Sequence, residues 1–264
     1  MKKHKICKIL LVILAIFLCV AFYELLGICV AYKKQPEVSN TTKKETKNGS
    51  WNECSENTER AVIIEKNPEA LLQRVRLIKN AKKEIILSTF AFQSDESGKL
   101  ILGALHDAAD RGVHIRLLVD GMESWIDMEG NPYFYGLSSH ENVEIKLYNK
   151  ANPLKPWKMM GRMHDKYLIA DGKRYILGGR NTYNYFLGDF PGHKNYDRDV
   201  LVVCDEPEKE NSVNQLLEYF ETIWEQEDSG YFHDNKKLAN RKSVKNAVLE
   251  LQNGYQKYFE ENKE

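Results

Sequence analysis

The feature that most constrains this chain is an apolar run near its start. Ile9 to Tyr23 is unbroken, and after Glu24 the run resumes from Leu25 to Tyr32. With Glu24 between them the two stretches span 24 residues, enough for a transmembrane helix of ~20 residues. Such a segment is apolar on every side, so it has no polar face to turn to water as a surface helix of a soluble domain would. Lys2, Lys3, Lys5 and Lys8 precede it. An acid is costly at mid-bilayer and tolerable near an end, and Glu24 sits in the outer third. A cleaved signal peptide would have a shorter apolar core followed by small residues in an A-x-A pattern, and Cys29-Val30-Ala31 matches poorly. Leu26-Gly27-Ile28-Cys29 is only loosely like a lipoprotein site, with a bulky Ile before the Cys. The expectation is an uncleaved, single-pass anchor over residues 9–32 behind a basic terminus, residues 1–8. The leading lysines favour a cytoplasmic N-terminus and an extracytoplasmic domain, against Lys33, Lys34, Lys43, Lys44 and Lys47 on the other side.

Residues 33–60 are rich in Lys, Asn, Thr, Ser and Glu and read as a flexible tether. About 200 residues then remain for one well-buried domain. The composition, 42% hydrophobic and 29% charged, excludes collagen, coiled coil and wholesale disorder. The net charge of zero argues neither for nor against nucleic acid. Locally the balance differs. From Lys146 to Arg174 there are eight Lys or Arg and two acids, Asp165 and Asp171, a stretch suited to an anion or to a solvated basic face. The five cysteines, Cys7, Cys19, Cys29, Cys54 and Cys204, show no metal-ligand spacing and no disulfide framework.

The pattern past residue 60 alternates. Ala61 to Ile64 reads as a strand, and Pro68 opens a helix with Leu71, Leu72, Val75 and Ile78 on its buried face. Glu84 to Phe92 reads as a buried strand, Ser97 to Arg111 as a helix closed by Gly112, and Val113 to Val119 and Val143 to Tyr148 as further strands. His164 to Ala170 and Arg174 to Leu177 read as strands joined by an Asp171-Gly172 turn. Asp199 to Cys204 is another strand. Glu210 to Glu227 is an amphipathic helix, and the last residues, 229–264, form a helical tail with Val244, Val248, Leu251 and Tyr255 on one stripe. Strand-helix alternation argues for a layered α/β fold with a partly parallel sheet over residues 61–228.

The chemistry concentrates in His164 to Asn181, HDKYLIADGKRYILGGRN. His164, Lys166, Asp171, Gly178, Gly179 and Asn181 hold fixed spacings that coincide by chance on the order of once in 10⁷–10⁸ start points. In a strand, positions two apart share a face, so His164 and Lys166 should project together. A neutral imidazole can attack phosphorus, and a lysine beside it supplies charge for phosphoryl oxygens. The glycines let the backbone approach a phosphate, and Asn181 offers amide donors. Beyond the N-terminal segment, the other histidines, His106, His114, His140, His193 and His233, have no partner pattern and read as structural or exposed.

This constellation resembles the HKD motif of the phospholipase D superfamily. The upstream segments EIILSTFAF and GKLILGALHDAADRGVHIRLLVDG, and the Arg198-Asp199 pair opening a strand, resemble the N-terminal half of bacterial cardiolipin synthases and phospholipase D-like proteins. The resemblance covers roughly residues 61–228 and implies an α-β-α sandwich with a mixed sheet behind the membrane helix. It implies a phosphodiesterase that hydrolyses or transfers phospholipid headgroups through a phosphohistidine, with no cofactor and no metal. His164 is then the nucleophile or the acid for the leaving group. Lys166 and Asn181, with Gly179, bind phosphate. Asp171 belongs to the catalytic motif but looks structural, shaping the turn. Asp199 orients the histidine, or Asp197 does. Many family members carry Ser where Gly179 stands, which removes one hydroxyl donor here.

The family's site takes two such motifs facing each other, one histidine as nucleophile and one as general acid. This sequence contains one. It either pairs as a homodimer, as single-motif nucleases of the superfamily do, or with a second HKD-containing chain, or it is the inactive half of a two-motif enzyme. Phospholipid in the membrane is the expected partner; nucleic-acid phosphodiesters are the alternative substrate.

Overall fold

The structure is a computed structural model and describes residues 2–33, 40, 43–44, 59–206, 211–233 and 236–262. The polar tether and Cys54 fall almost wholly outside the described residues. The chain forms two compact units, Met1–Asn57 with Ala151–Arg162, and Thr58–Lys150 with Met163–Glu264.

In the first unit, helix α1 spans Lys2–Lys33. Its segment Lys5–Ala31 is long and apolar enough to cross a membrane. The segment 151–162 packs on this helix. Tyr23 donates its hydroxyl to the carbonyl of Leu154 at 2.9 Å. Gly27 is where the backbones meet: a Cβ there would lie 2.5 Å from Pro156 Cγ and 3.1 Å from Trp157 N, so only glycine admits the contact.

In the second unit, the elements are β1 (Glu59–Ile64), α2 (Asn67–Asn80), β2 (Glu84–Thr89), α3 (Glu96–Asp110), β3 (His114–Asp120), α4 (Gly121–Asp127), α5 (Pro132–Ser138) and β4 (Val143–Tyr148). After the first-unit segment come β5 (Lys166–Ala170), β6 (Arg174–Gly178), β7 (Asp199–Cys204), α6 (Ser212–Trp224), β8 (Ser229–Tyr231), α7 (Lys236–Ala239) and α8 (Lys242–Glu261). The strands form one sheet in the order β1-β7-β6-β5-β2-β3-β4-β8. The β2-β3 and β3-β4 pairs are parallel and the others antiparallel, so the sheet is mixed. Each parallel pair is joined through helix, α3 after β2 and α4 and α5 after β3, as parallel crossovers require.

Helices cover both faces, and the pleat of the central strands divides the core accordingly. Ile85, Leu87, Leu168 and Ala170 join a cluster with Leu71 and Val75 of α2, Leu105 of α3 and Leu251 of α8. Ile86, Tyr167 and Ile169 join the opposite cluster with Val213, Phe220 and Trp224 of α6. Alternation along a strand sends neighbours to opposite faces, and a strand buried on both sides reads as a continuous apolar run. The result is the three-layered α-β-α sandwich that the resemblance implied.

Two differences from the sequence reading matter. Residues 229–233 and 236–261 are part of the layered unit. β8 extends the sheet beside β4, and α8 lies so close to α3 that a Cβ at Gly103 would stand 2.6 Å from the carbonyl oxygen of Leu251. The second difference concerns the motif. β5 begins at Lys166, leaving His164 in irregular chain before it. The ladder with β2 ends at the Thr89–Lys166 pair. Beyond it, Asp120 Oδ2 draws in the backbone N–H of Met163 at 3.1 Å, and the N–H of Asp165 turns back to Met163 Sδ at 3.3 Å. These local partners replace the strand pairing that the residues would otherwise need.

Candidate active site

One end of the sheet gathers the motif. The C-terminal ends of β2, β3 and β6 and the N-terminal ends of β5 and β7 lie there, because β2 and β3 run antiparallel to β5, and β6 antiparallel to β5 and β7. In open α/β sheets such strand ends are where ligand sites collect. This end carries Thr89, Asp120, Lys166, Gly178 and Asp199.

His164 is exposed and Lys166 is 6% exposed. They are joined by a main-chain bond and a shared ring instead of a common strand face. The Nζ of Lys166 donates to the His164 carbonyl at 2.7 Å. It also stands 5.3 Å from the centre of the Phe90 ring, whose edge meets the imidazole at 4.6 Å between centroids. Cations over aromatic faces are held by the ring quadrupole. Burial pulls the Lys166 ammonium below the usual lysine range, opposed by the charges of Asp165 and Asp197. A desolvated ammonium interacts more strongly with an incoming anion than a hydrated one. Asp165 is turned away and accepts from the hydroxyl of Tyr219 at 2.8 Å; burial and that carboxylate push the Tyr219 phenol up to about 12.

Asn181 is 7% exposed. Its Oδ1 accepts from the backbone N–H of Ala91 at 3.3 Å. The chain after β6 is zipped to the chain after β2 by Thr182 N–H to Ala91 carbonyl at 3.0 Å and Gln93 N–H to Thr182 carbonyl at 3.2 Å. With Oδ1 taken by Ala91, it is the amide nitrogen that has donors to offer a phosphate oxygen.

The two glycines are explained by carboxylates. A Cβ on Gly178 would collide with Asp199 Oδ1, and one on Gly179 with the carboxylate of Asp197. Room for these two acids is therefore the role the geometry gives to Gly178 and Gly179, beyond any approach to phosphate. A serine at 179 would displace Asp197.

Asp199 is fully buried and held by two guanidiniums. Its Oδ2 lies 2.8 Å from Arg74 and 3.3 Å from Arg180. Its Oδ1 has no hydrogen-bond partner among the described residues. Arg180 is 1% exposed, and burial lowers its pKa against the pull of Asp199. It donates to Asn67 Oδ1 at 3.2 Å, to the Ile64 carbonyl at 3.3 Å, to the Glu65 carbonyl at 2.6 Å and to the carbonyl of Asp197. Asp197 is half-buried and accepts at Oδ1 from the N–H of Arg198 at 2.7 Å.

Asp171 stands apart. It follows the far end of β5 from Lys166, five residues of strand away, about 17 Å at 3.3 Å each. Its Oδ1 accepts from the N–H groups of Lys83 and Glu84 at 2.7 and 3.1 Å, and its Oδ2 from Lys82 at 2.9 Å. Asp171 and Gly172 have φ of 55° and 61°, and Lys173 N–H bonds to the Ala170 carbonyl at 3.1 Å, the mirror-image hairpin turn that Asp-Gly favours. This carboxylate ties a turn to the start of β2 and cannot reach a phosphate held at Lys166.

Sequence reasoning missed Phe90, Asp120, Arg74 and Arg180. Arg74 had a signal: it lies between Leu71 and Val75 on the apolar stripe of α2, where a cation needs a buried anion. Asp120 heads α4, accepting from the N–H groups of Met122 and Glu123 at 3.0 and 3.2 Å, and with its other oxygen it fixes the approach to His164. The remaining histidines sit on carboxylates or surface loops: His106 and His140 share Asp110 at 3.1 and 3.3 Å, His114 meets Glu144 at 2.9 Å, and His233 meets Glu129 at 3.0 Å. Among the described residues, no group of three or more His, Cys, Asp or Glu is placed to hold a metal.

Residues 74–224 match the family described as "Cardiolipin synthase, PLD-like domain". An uncharacterized protein of Helicobacter pylori J99 is 31% identical over 206 residues, 72% of this chain and 38% of its own length. Cardiolipin synthase C of Escherichia coli K12 is 29% identical over 171 residues, 60% of this chain. The chain thus spans little more than a third of these relatives, 38% of the first and 34% of the second. Among solved structures, phosphatidylserine synthase of Haemophilus influenzae superposes with a TM-score of 0.52 at 18% identity, covering 82% of this chain and 48% of that one. NucT from Helicobacter pylori superposes with a TM-score of 0.50 at 16% identity, covering 66% of this chain and 99% of that one. At these identities the two structures speak for the fold alone. The family match spans more than half of the chain and both flanks of the motif: the chain belongs to the PLD-like domains of the phospholipase D superfamily.

Proposed function

We propose that this protein is a membrane-anchored phosphodiesterase that hydrolyses or transfers phospholipid headgroups through a phosphohistidine on His164. The observation that carries the reading is an exposed imidazole whose own carbonyl is bonded to a buried lysine ammonium. The nucleophile is open to substrate, and the cation for the phosphoryl oxygens is fixed two residues away.

In the first step His164 attacks phosphorus with a neutral ring nitrogen. A P–N bond forms as the P–O bond to the leaving group breaks. The leaving oxygen takes a proton from a second histidine. In the second step water, or an alcohol in a transfer, attacks the phosphohistidine. That same second histidine accepts its proton, and the P–N bond breaks to regenerate His164. Lys166 and the amide nitrogen of Asn181 bind the phosphoryl oxygens, where charge gathers in the transition state. Asp197 is favoured as the residue orienting the imidazole, because its half-buried carboxylate lies against Gly179 of the motif while Asp199 Oδ2 is committed to two arginines. The second histidine comes from a second copy of the chain or from another HKD-containing chain.

Lipid is favoured over nucleic acid by the apolar helix Lys5–Ala31 and by the cardiolipin synthase description of the family. The helix would be a single-pass anchor in the cell membrane with the domain extracytoplasmic, as the lysines before it suggest. The eight cations from Lys146 to Arg174 favour the second reading, a homodimeric nuclease. The test is turnover by the full chain in detergent or vesicles on phosphatidylglycerol, phosphatidylcholine and an oligonucleotide, beside its oligomeric state. Release of a lipid headgroup by a dimer supports the proposal. Cleavage of the oligonucleotide alone favours the nuclease. A monomer idle on all three, with and without an added HKD-containing partner, is the inactive half.

A further inference from the structure

The segment 151–162 has no part in the chemistry above. Its sequence is ANPLKPWKMMGR, with three cations and no acid. Leu154 is 79% exposed, Met160 51% and Trp157 45%, and Lys155, Lys158 and Arg162 are exposed with them. Pro156 is buried against the helix. Its turns close on themselves: Lys155 N–H bonds to the Asn152 carbonyl at 2.9 Å, Lys158 to Lys155 at 2.9 Å, Met159 to Pro156 at 3.1 Å and Gly161 to Lys158 at 3.0 Å. A backbone satisfied in this way can leave water at low cost.

Where it packs on α1 sets its depth. From Ile9, the first residue after the basic terminus, to Gly27 the helix rises about 27 Å. The hydrocarbon core of a bilayer is about 30 Å thick. A helix that enters the membrane at Ile9 therefore has Gly27, and the Pro156 seated on it, close to the opposite headgroup layer. Tyr23, bonded to Leu154, is of the residue type that collects at that layer. An aromatic and two aliphatic side chains beside three cations match an interface of acyl chains and anionic phosphates.

We propose that residues 151–162 form an interfacial membrane segment, docked on the transmembrane helix, that lies in the headgroup layer of the bilayer the helix spans. This rests on the anchor and lipid reading of the preceding section and deepens it. Two residues of chain, at most about 7 Å, run from Arg162 to His164. Covalent reach alone keeps His164 within that distance of Arg162, and the substrate class is a phosphodiester in the enzyme's own membrane.

The test reconstitutes the full chain in vesicles of phosphatidylcholine and phosphatidylglycerol, with and without lipids brominated near the headgroup. The emission of Trp157 is the difference between wild type and Trp157→Phe. Loss of most of that emission on bromination is expected; emission untouched by bromination overturns the proposal, and emission shielded only at protein densities that favour dimers assigns the patch to a second copy instead. In parallel, Leu154→Glu should lower turnover of vesicle lipid about tenfold and leave turnover of a water-soluble aryl phosphodiester unchanged. Equal loss on both substrates counts against the segment's role. Quenching with no turnover on either substrate keeps the membrane segment and removes the enzymatic reading.

Discussion

The Nζ of Lys166 is hydrogen-bonded to the carbonyl oxygen of His164 at 2.7 Å. The proposed catalytic cation and the proposed nucleophile are thus coupled through main chain. Burial holds that ammonium below the ordinary lysine value of 10.5. Its depressed pKa means that the fold carries a cost at neutral pH, where the buried group is charged. That cost is relieved as pH rises from the folded pKa toward 10.5, so Lys166 makes stability increase across that window. Activity moves the other way, because only the charged form binds phosphate. The alkaline limb of kcat/KM should therefore fall below pH 10.5. In Lys166→Arg, whose charge persists, that limb should disappear, whatever the loss in maximum rate. A limb unmoved by this change would place the titrating group elsewhere.

Asp197 and Asp199 should separate cleanly. Asp199→Asn leaves Arg74 and Arg180 buried without their anion, which costs about 3–5 kcal/mol. Chemical denaturation should show it. Asp197→Asn should leave the midpoint nearly unchanged while lowering kcat and shifting the acid limb of the pH–rate profile. If Asp199→Asn is stable and Asp197→Asn fully active, the assignment of the two acids is reversed.

For Asp171 the expected loss is of stability alone. Its carboxylate receives three backbone N–H groups, and charge-assisted bonds are worth about 1.5–3 kcal/mol each at most. Asp171→Ala also loses a residue type tolerated at positive φ. We expect about 2–4 kcal/mol of destabilisation, with kcat/KM per folded molecule retained. A folded Asp171→Ala protein without turnover would show a direct part in chemistry.

Much of this molecule is legible in the residues, and the gaps have physical causes. Buried strands such as Glu84–Thr89 and Val143–Tyr148 announce themselves through β-branched runs, and α3 through its period and its Gly112 stop, because local pattern and tertiary environment agree there. The stretch His164–Asp165 abuts the apolar strand run Tyr167–Ala170 yet lies outside the sheet, where Asp120, more than 40 residues earlier, claims the N–H of Met163. No local pattern encodes that partner. The helix at residues 242–261 looked like a tail because its stripe is short and its surroundings polar; its place against α3 depends on one glycine, Gly103, and on a carbonyl across the interface. The acids after the motif were ambiguous because a buried carboxylate and an orienting one have the same composition. The positions of Arg74 and Arg180 tell them apart.

Phe90 touches both members of the pair, through the imidazole edge at 4.6 Å and the ammonium at 5.3 Å. Phe90→Leu keeps apolar bulk and removes the π face, worth about 0.5–2 kcal/mol to a cation. Turnover should fall several-fold, with KM rising as Lys166 loses its fixed position. An unchanged KM would mean that the ring only fills space.

His164 is the centre of the proposed chemistry. The most direct measurement is rapid acid-free quenching of the full chain during turnover on a vesicle phosphodiester, followed by mass analysis of the peptide that contains residue 164. An alkali-stable, acid-labile phosphoryl adduct on His164, absent with turnover in His164→Ala while that variant still folds, is the predicted result. Sustained turnover by His164→Ala, or an adduct mapped to another residue, would contradict the account.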